Sequence, residues 1–474
     1  MSKIIVWFRN DLRLHDNELL QKCIDKNAEI LPIFCFDTKQ FQNTFLDFPK
    51  TDSFRTRFLI ESVQNLKENL QKIGANLMIC VGDPAVIIPE LAIKYQAKSV
   101  FVSAEVTKEE ITLENTIEQK LAQNKIEMER FWQSTLYHIQ DLPYPIKNLP
   151  DIFTQFRKGV ESLVKIRKTI STPTKLKLIA HIHDWGKLPS EQDLCIKIKE
   201  SDEKKAIHFE GGETAGKKHL QQYLWENNHI VHYKETRNEL LGDSYSSKLS
   251  AWLALGCLSP RYIYEEVKKY ETEKIKNDST YWLIFELIWR DYFRMVAKKY
   301  GNKIFQLEGI KSKEKLQWIE NKALFEQWKN GNTGIPFIDA NMRELNQTGF
   351  MSNRGRQNVA SFLTKDLKIN WTWGAMYLES LLIDYDVCSN WGNWTYIAGV
   401  GNDPREDRYF NILTQAKRYD EKGKYIKYWL PELENVNEKA IHLLKLDRNQ
   451  QKEFKVNIGV DYPNPMINPE KWTK

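Results

Sequence analysis

A chain of 474 residues exceeds what one hydrophobic core usually fills, ~250–300 residues, so two domains are expected. Its 69 basic and 63 acidic side chains leave a formal charge of +6, which permits a local patch for a polyanion without requiring one. The six cysteines (Cys23, Cys35, Cys80, Cys195, Cys257, Cys388) form no CxxC pair, His181/His183 and His229/His232 lack thiol or ordered acidic partners, and no apolar run approaches the ~18 residues of a membrane span; a structural metal site, a disulfide framework and a membrane protein are therefore disfavoured.

The opening MSKIIVWFRNDLR enters a strand pattern without the apolar core of a signal peptide, so a cytoplasmic protein is expected. Apolar runs at 4–8, 30–36, 77–81, 100–103 and 126–132 alternate with amphipathic segments, the pattern of a parallel sheet with helices on both faces. Ser53 is placed to open a helix carrying Phe54, Phe58, Leu59, Val63, Leu66 and Leu70 up to Gly74, and Pro84 to open another through Tyr95. The first strand runs into Arg9, Asn10 and Asp11 where a dinucleotide fold would carry GxGxxG, which disfavours a nicotinamide dehydrogenase. Residues 1–132 thus read as a doubly wound parallel-sheet α/β domain. Residues 133–211, with Pro143, Pro145, Pro150, Pro173 and Pro189, read as an interdomain connector. Residues 212–433 read as an all-α domain, with Ser279 before an aromatic helix over 281–300, and 434–474 as a short polar tail.

The chemistry concentrates in the helical part. Between residues 382 and 408, Asp384, Asp386 and Asn390 supply acceptors and an amide, Trp391, Trp394 and Tyr396 supply flat faces, and Gly392, Gly399 and Gly401 allow close backbone approach. That mixture suits a planar heterocycle with polar edges. Glu286 and Arg290 stand four apart on one predicted helix, a spacing that makes them an ion pair. Asn353, Arg354 and Arg356 cluster at a helix start, where two cations oppose the macrodipole and call for a compensating acid such as Asp384. The hydroxyls of DSYSSKLS, residues 243–250, suit either phosphate binding or plain N-capping.

Several long motifs tie these features together: WFRNDLRLHDN at 7–17, STLYHIQDLPYPIKNLPDIFTQFRKGVE at 134–161, YKETRNELLG at 233–242, SSKLSAWLALGCLSPR at 246–261, ELIWRDYFR at 286–294, GNTGIPFIDANMRELNQTGFMSNRGRQNVASFLTKDL at 331–367 and WGNWTYIAGVGNDPREDRYFNILTQAKRYD at 391–420. In these the chain resembles the photolyase/cryptochrome family, and its connector and GNDPREDRYFNI segment resemble the DASH-type branch. The resemblance implies a U-shaped FAD in the helical domain. Tyr233, Ser246, Ser247 and Ser250 would meet its phosphates, with Lys248 and Leu249 in the same stretch. Arg356, Asp384, Asp386 and Asn390 would surround the isoalloxazine, and Glu286, Arg290 and Asn353 complete the cofactor-binding set. Asn390 would neighbour flavin N5, where an amide can accept or donate a hydrogen bond. Trp394, Trp371 and Trp318 match the family's electron-transfer chain.

The same resemblance implies a substrate. Glu286, Trp289, Asn353 and Gln357 correspond to positions lining the lesion pocket of cyclobutane pyrimidine dimer photolyases, with Trp289 stacking on the lesion and Glu286 stabilising its radical anion. Tyr396 stands where duplex-specific relatives have Trp, and Gln357 where they have Met. The smaller clamp repays less of the cost of unpairing, so UV-damaged single-stranded DNA is the expected partner, bound by a monomer. Arg354 would hold a DNA phosphate. Glu110 is the candidate contact to a methenyltetrahydrofolate antenna. Blue-light-driven dimer repair is the leading expectation. The alternative is a signalling blue-light receptor, which the tail of about forty residues, short beside long disordered extensions, makes the weaker reading. A flavin oxidoreductase lacks the nicotinamide fingerprint.

Overall fold

The computed structural model describes residues 2–200, 204, 207–310, 316–405 and 408–473. Five parallel strands, β1 (Lys3–Phe8), β2 (Glu29–Asp37), β3 (Met78–Gly82), β4 (Ser99–Ser103) and β5 (Glu127–Phe131), form one sheet in the order β3-β2-β1-β4-β5. The chain starts in the middle, winds outward through β2 and β3, then returns beside β1, so the winding reverses between β1 and β4. A crevice opens at such a reversal, outside the carboxyl ends of the strands. Alternation along β1 buries both faces: Ile4, Val6 and Phe8 join a core continuous with the helical domain, while Ile5 and Trp7 pack on Ile88, Ala92, Ile117 and Leu121 of the covering helices.

One helix start agrees with the sequence expectation, at Ser53, and one differs, at Ser279. Asp52, the residue before Ser53, caps the helix Ser53–Lys72, and Asn277 caps Asp278–Tyr300 in a reciprocal box with Thr280. Ser279 instead donates its hydroxyl to Glu235 at 2.9 Å. Adjacent polar residues compete for a cap, and the backbone angles of the incoming chain choose between them.

The two domains are tied together by buried polar groups of the first motif. Arg13 donates to the carbonyls of Gly256 at 2.9 Å and Gln133 at 3.1 Å, Asp16 pairs with Arg261 at 2.7 Å, and His15 with Glu213 at 2.8 Å. The connector contains the helix Phe153–Leu163 and crosses the helix Asp278–Tyr300, where the backbone N–H groups of Leu136 and Tyr137 donate to the buried Asp291 carboxylate at 2.9 and 2.8 Å.

Among the described residues every strand lies before residue 132, and no helix is long and apolar enough to cross a membrane. The stretch expected to be a polar tail packs against the helical domain. Val436, Ile441, Val456, Tyr462 and Trp472 are buried, and the Tyr462 hydroxyl donates to Asp339 at 2.5 Å. Apolar anchors recurring among polar neighbours hold an otherwise irregular segment down; mean polarity hides them.

Candidate functional site

The helix Asp278–Tyr300 runs beside Val387–Ala398, and both approach the one-turn helix Ser250–Ala254 and Asn353–Ser361. Between them lies a cleft of about 430 Å³, whose walls include Tyr233, Ser246, Ser247, Lys248, Leu249, Ser250, Glu286, Trp289, Arg290, Asn353, Arg356, Gln357, Asp384, Asp386 and Tyr396. A smaller pocket of about 80 Å³ shares Asn353, Arg356, Gln357, Asp384 and Asp386 and adds Asn390 and Trp394. Residues scattered over more than 160 positions of sequence thus line one continuous space.

Asp384 is its electrostatic centre. Its side chain is nearly buried, one carboxylate oxygen accepts from Arg356 at 2.9 Å and from the Ser250 hydroxyl at 2.7 Å, and the other oxygen has no protein partner. An unpartnered buried carboxylate oxygen is costly unless a ligand donates to it. Arg356 is therefore compensated by Asp384, as its position at a helix start required. Ser250 is committed to the same acid. Lys248 is turned away: its ammonium donates to the Asp243 carbonyl at 2.7 Å over the Tyr245 ring, and burial pushes its pKa down to about 7. It organises the loop instead of presenting a charge to the cleft.

The expected pairing of Glu286 with Arg290 does not form. Glu286 pairs with Arg237, while Arg290 donates to the carbonyls of Ser134 and Leu253 and to Asp386 at 3.3 Å. On this half-buried cleft wall, charged groups and carbonyls from other segments compete successfully with an i,i+4 partner worth only ~0.3–0.5 kcal/mol on an exposed face. Burial pushes the Glu286 carboxyl above its ordinary pKa, and Arg237 only partly offsets this.

Asn390 donates its amide nitrogen to the Ala375 carbonyl at 3.0 Å. That carbonyl can only accept, so the amide is oriented and leaves its oxygen as an acceptor for a ligand, while its second N–H stays available as a donor. Behind it the Trp394 ring lies against Gly374, where an added Cβ would stand 2.3 Å from the ring. Gly374 is one helical turn from Trp371, which is fully buried at the start of Trp371–Leu381. Half-buried Trp318 is held beside that helix start, because Ile319 donates its backbone N–H to the Lys368 carbonyl and accepts from the Asn370 N–H, on either side of Ile369.

On the outer side, Trp289 stacks one face on Phe153 with ring centroids 3.5 Å apart. Tyr396 meets Trp289 and Phe293 edge-on at 6.1 and 5.7 Å, and its hydroxyl lies beside that of Tyr292. Arg354 donates to Gln357 at 2.8 Å and Asn238 at 3.0 Å. Besides Lys248, Arg290 and Arg356, the cleft is lined by two cations that no spacing singled out, Arg237 and Arg408. Arg237 sits inside a quoted motif, but nothing in its spacing sets it apart.

A second cavity of about 510 Å³ opens between the domains at the carboxyl ends of β1 and β4. Trp7, Arg9, Glu105, Glu109 and Glu110 face Arg290, Arg294, Phe305, Met376, Tyr385 and Trp391 across it. Trp7 Nε1, Arg9 Nε and Nη1, Glu105 Oε1 and Arg294 Nε are buried without partners. Burial and the neighbouring Glu105 push the Glu110 carboxyl above its ordinary pKa. Arg290 and Asp386 line both this cavity and the cleft, and Tyr385 lines both this cavity and the smaller pocket.

Two family models match the chain: DNA photolyase over residues 4–175 and the FAD binding domain of DNA photolyase over residues 282–474. A cryptochrome DASH from Synechocystis sp. is 50% identical over 468 residues, 98% of this chain and 95% of the relative. The crystal structure of a Synechocystis sp. PCC6803 cryptochrome superposes with a TM-score of 0.96 at 49% identity, over 100% of this chain and 98% of that one. A class III photolyase from Agrobacterium tumefaciens superposes with a TM-score of 0.85 at 26% identity, over 100% of this chain and 95% of that one. With its parallel-sheet domain, its flavin-binding helical domain and these relatives, the chain belongs to the photolyase/cryptochrome family, in the DASH branch.

Proposed function

We propose that the chain is a blue-light-driven, FAD-dependent lyase that splits cyclobutane pyrimidine dimers, with a preference for single-stranded DNA. The observation that carries this reading is the shared cleft: Glu286, Trp289, Gln357 and Tyr396 line the same space as Arg356, Asp384 and Asp386. A flipped-out lesion and a redox ring would meet there without intervening protein. When bound, reduced FAD supplies the electron that opens the cyclobutane ring and takes it back afterwards.

The protein's own groups do the rest. Asp384 and Arg356 would hold one edge of the ring system, with the Asn390 oxygen as an acceptor toward N5. Burial pushes the Glu286 carboxyl above its ordinary pKa, and in its protonated form it would donate to the lesion where negative charge develops. Trp289 offers its free face and Tyr396 its edge to the bases. Arg237 and Arg408 line the cleft and draw in the phosphate backbone. The interdomain cavity is the proposed seat of a methenyltetrahydrofolate antenna, with the unpartnered Glu105 oxygen and Arg294 nitrogen, joined by Glu110, matched to the donors and acceptors of a pterin edge.

The test is to illuminate the purified holoprotein with a UV-damaged thymine oligonucleotide, single-stranded and duplex in parallel. Restored thymine is expected, faster in the single strand; none in either, with reduced FAD present, would overturn the repair reading. Replacing Trp394 with Phe should abolish photoreduction of oxidised flavin yet leave repair by the chemically reduced protein intact. Gly374→Ala should act on the same step indirectly, since the added methyl overpacks the Trp394 ring at a cost of ~1–3 kcal/mol. Thermal unfolding and photoreduction rate read the two effects, and wild-type values for both would remove Trp394 from the pathway.

A further inference from the structure

The electron route built on Trp394, Trp371 and Trp318 leaves a second aromatic group unexplained. The Trp371 ring lies edge-on to Trp391, with centroids 5.8 Å apart. The Trp391 indole N–H points at two acceptors, the Glu379 carboxylate at 3.2 Å and the Tyr385 hydroxyl oxygen at 3.3 Å. That shared N–H holds the Tyr385 hydroxyl and the Glu379 carboxylate close to each other. Glu379 and Trp391 are buried, and the Arg55 guanidinium lies 4.2 Å from the centre of the Tyr385 ring while donating to the Glu379 carbonyl at 2.9 Å. Tyr385 also lines both the inner pocket beside Asp384 and the interdomain cavity. A phenol and a buried carboxylate gathered on one indole N–H exceed what packing needs, since burying that carboxylate is costly.

We infer that Tyr385 is a second end point of the electron route, reached through Trp391, with Glu379 as the base that takes its proton. The inference rests on the proposed light-driven reduction of bound flavin, which draws one electron from Trp394 and passes the vacancy to Trp371. Trp391 refills Trp371 by one electron and becomes a cation radical. Tyr385 then gives its electron to Trp391 and its hydroxyl proton to Glu379: the phenolic O–H bond breaks, an O–H bond forms on the carboxylate, and a neutral tyrosyl radical remains. An added thiol returns the electron, and Glu379 returns the proton. Burial raises the Glu379 pKa, which makes the ionised carboxylate a stronger base than an exposed one. A neutral radical beside a neutral acid suits a low-dielectric site, where a charged one would be penalised.

The test is electron paramagnetic resonance of the FAD-loaded protein after illumination without added reductant, with ring-deuterated tyrosine to identify the signal. Wild type should give a tyrosyl signal that narrows on deuteration. Tyr385→Phe should lose it while keeping bound flavin and a tryptophan radical, and Glu379→Gln should slow its appearance about a hundredfold, the lower end of what a positioned base contributes. A tyrosyl signal surviving in Tyr385→Phe, or flavin photoreduction accompanied by tryptophan radicals alone in wild type, overturns the inference and leaves the Trp chain standing. Flavin that binds but is not photoreduced in wild type overturns both.

Discussion

Replacing Asp384 with alanine should yield protein that purifies with little or no flavin and whose apo form takes up FAD about a hundredfold more weakly, the equivalent of one to two charge-assisted hydrogen bonds of ~1.5–3 kcal/mol each. Asp384 anchors Arg356 and Ser250 together, and its second oxygen is buried without a protein partner. Removing it deletes a ligand acceptor and also leaves the Arg356 guanidinium uncompensated. Loss of a buried ion-pair partner costs ~3–5 kcal/mol, and the lower end applies here because a quarter of the Arg356 side chain is exposed. Asp384→Asn should fall between, since an amide still receives both hydrogen bonds but no longer balances the charge. The checks are the ratio of flavin to protein absorbance after purification, a fluorescence titration of apo-protein with FAD, and thermal unfolding of the apo form. Full flavin content at wild-type affinity in the alanine variant would sink the assignment of Asp384 to the cofactor.

A UV-damaged single strand should bind about a hundredfold tighter than the same lesion in a duplex, because extrusion from paired, stacked DNA costs a few kcal/mol that the single strand does not incur. The clamp is poorly equipped to repay that cost. Phe153 occupies one face of Trp289, and Tyr396 presents an edge with its hydroxyl turned to Tyr292. Base–aromatic stacking of ~1–3 kcal/mol per base is therefore available on one face only. Fluorescence anisotropy with both substrates at one fixed salt concentration measures the ratio. Tyr396→Trp should narrow it by enlarging the platform, and equal affinities for the two substrates in wild type would remove the basis for a single-strand preference. Affinity for both should fall steeply with added salt, since the cleft cations act on phosphates.

The parallel sheet was legible because short β-rich runs separated by amphipathic segments have little else they can form, and the observed strand bounds fall within a residue or two of the apolar runs. The residues lining the cleft were legible by type: Asp384, Asp386, Asn390 and Arg356 are an improbable set for a core. Their partnerships were not. Spacing made Glu286 and Arg290 a pair, yet each found a partner from another segment. Which way the Asn390 amide faces was open until the Ala375 carbonyl took one of its N–H groups. That the Ser250 hydroxyl donates to Asp384 was not readable from a stretch suited to phosphate binding or capping.

By itself the sequence determined the elements, the two-domain division and the chemical inventory of the site, because periodicity, turn residues and motif composition are local properties of the chain. Only the tertiary structure decided which charge meets which, which carboxyl burial raises above its ordinary pKa, that the supposed tail is packed, and that Arg290 and Asp386 lie between two cavities. Those outcomes depend on desolvation and on competition among partners far apart in sequence. Neither is defined until the chain has folded.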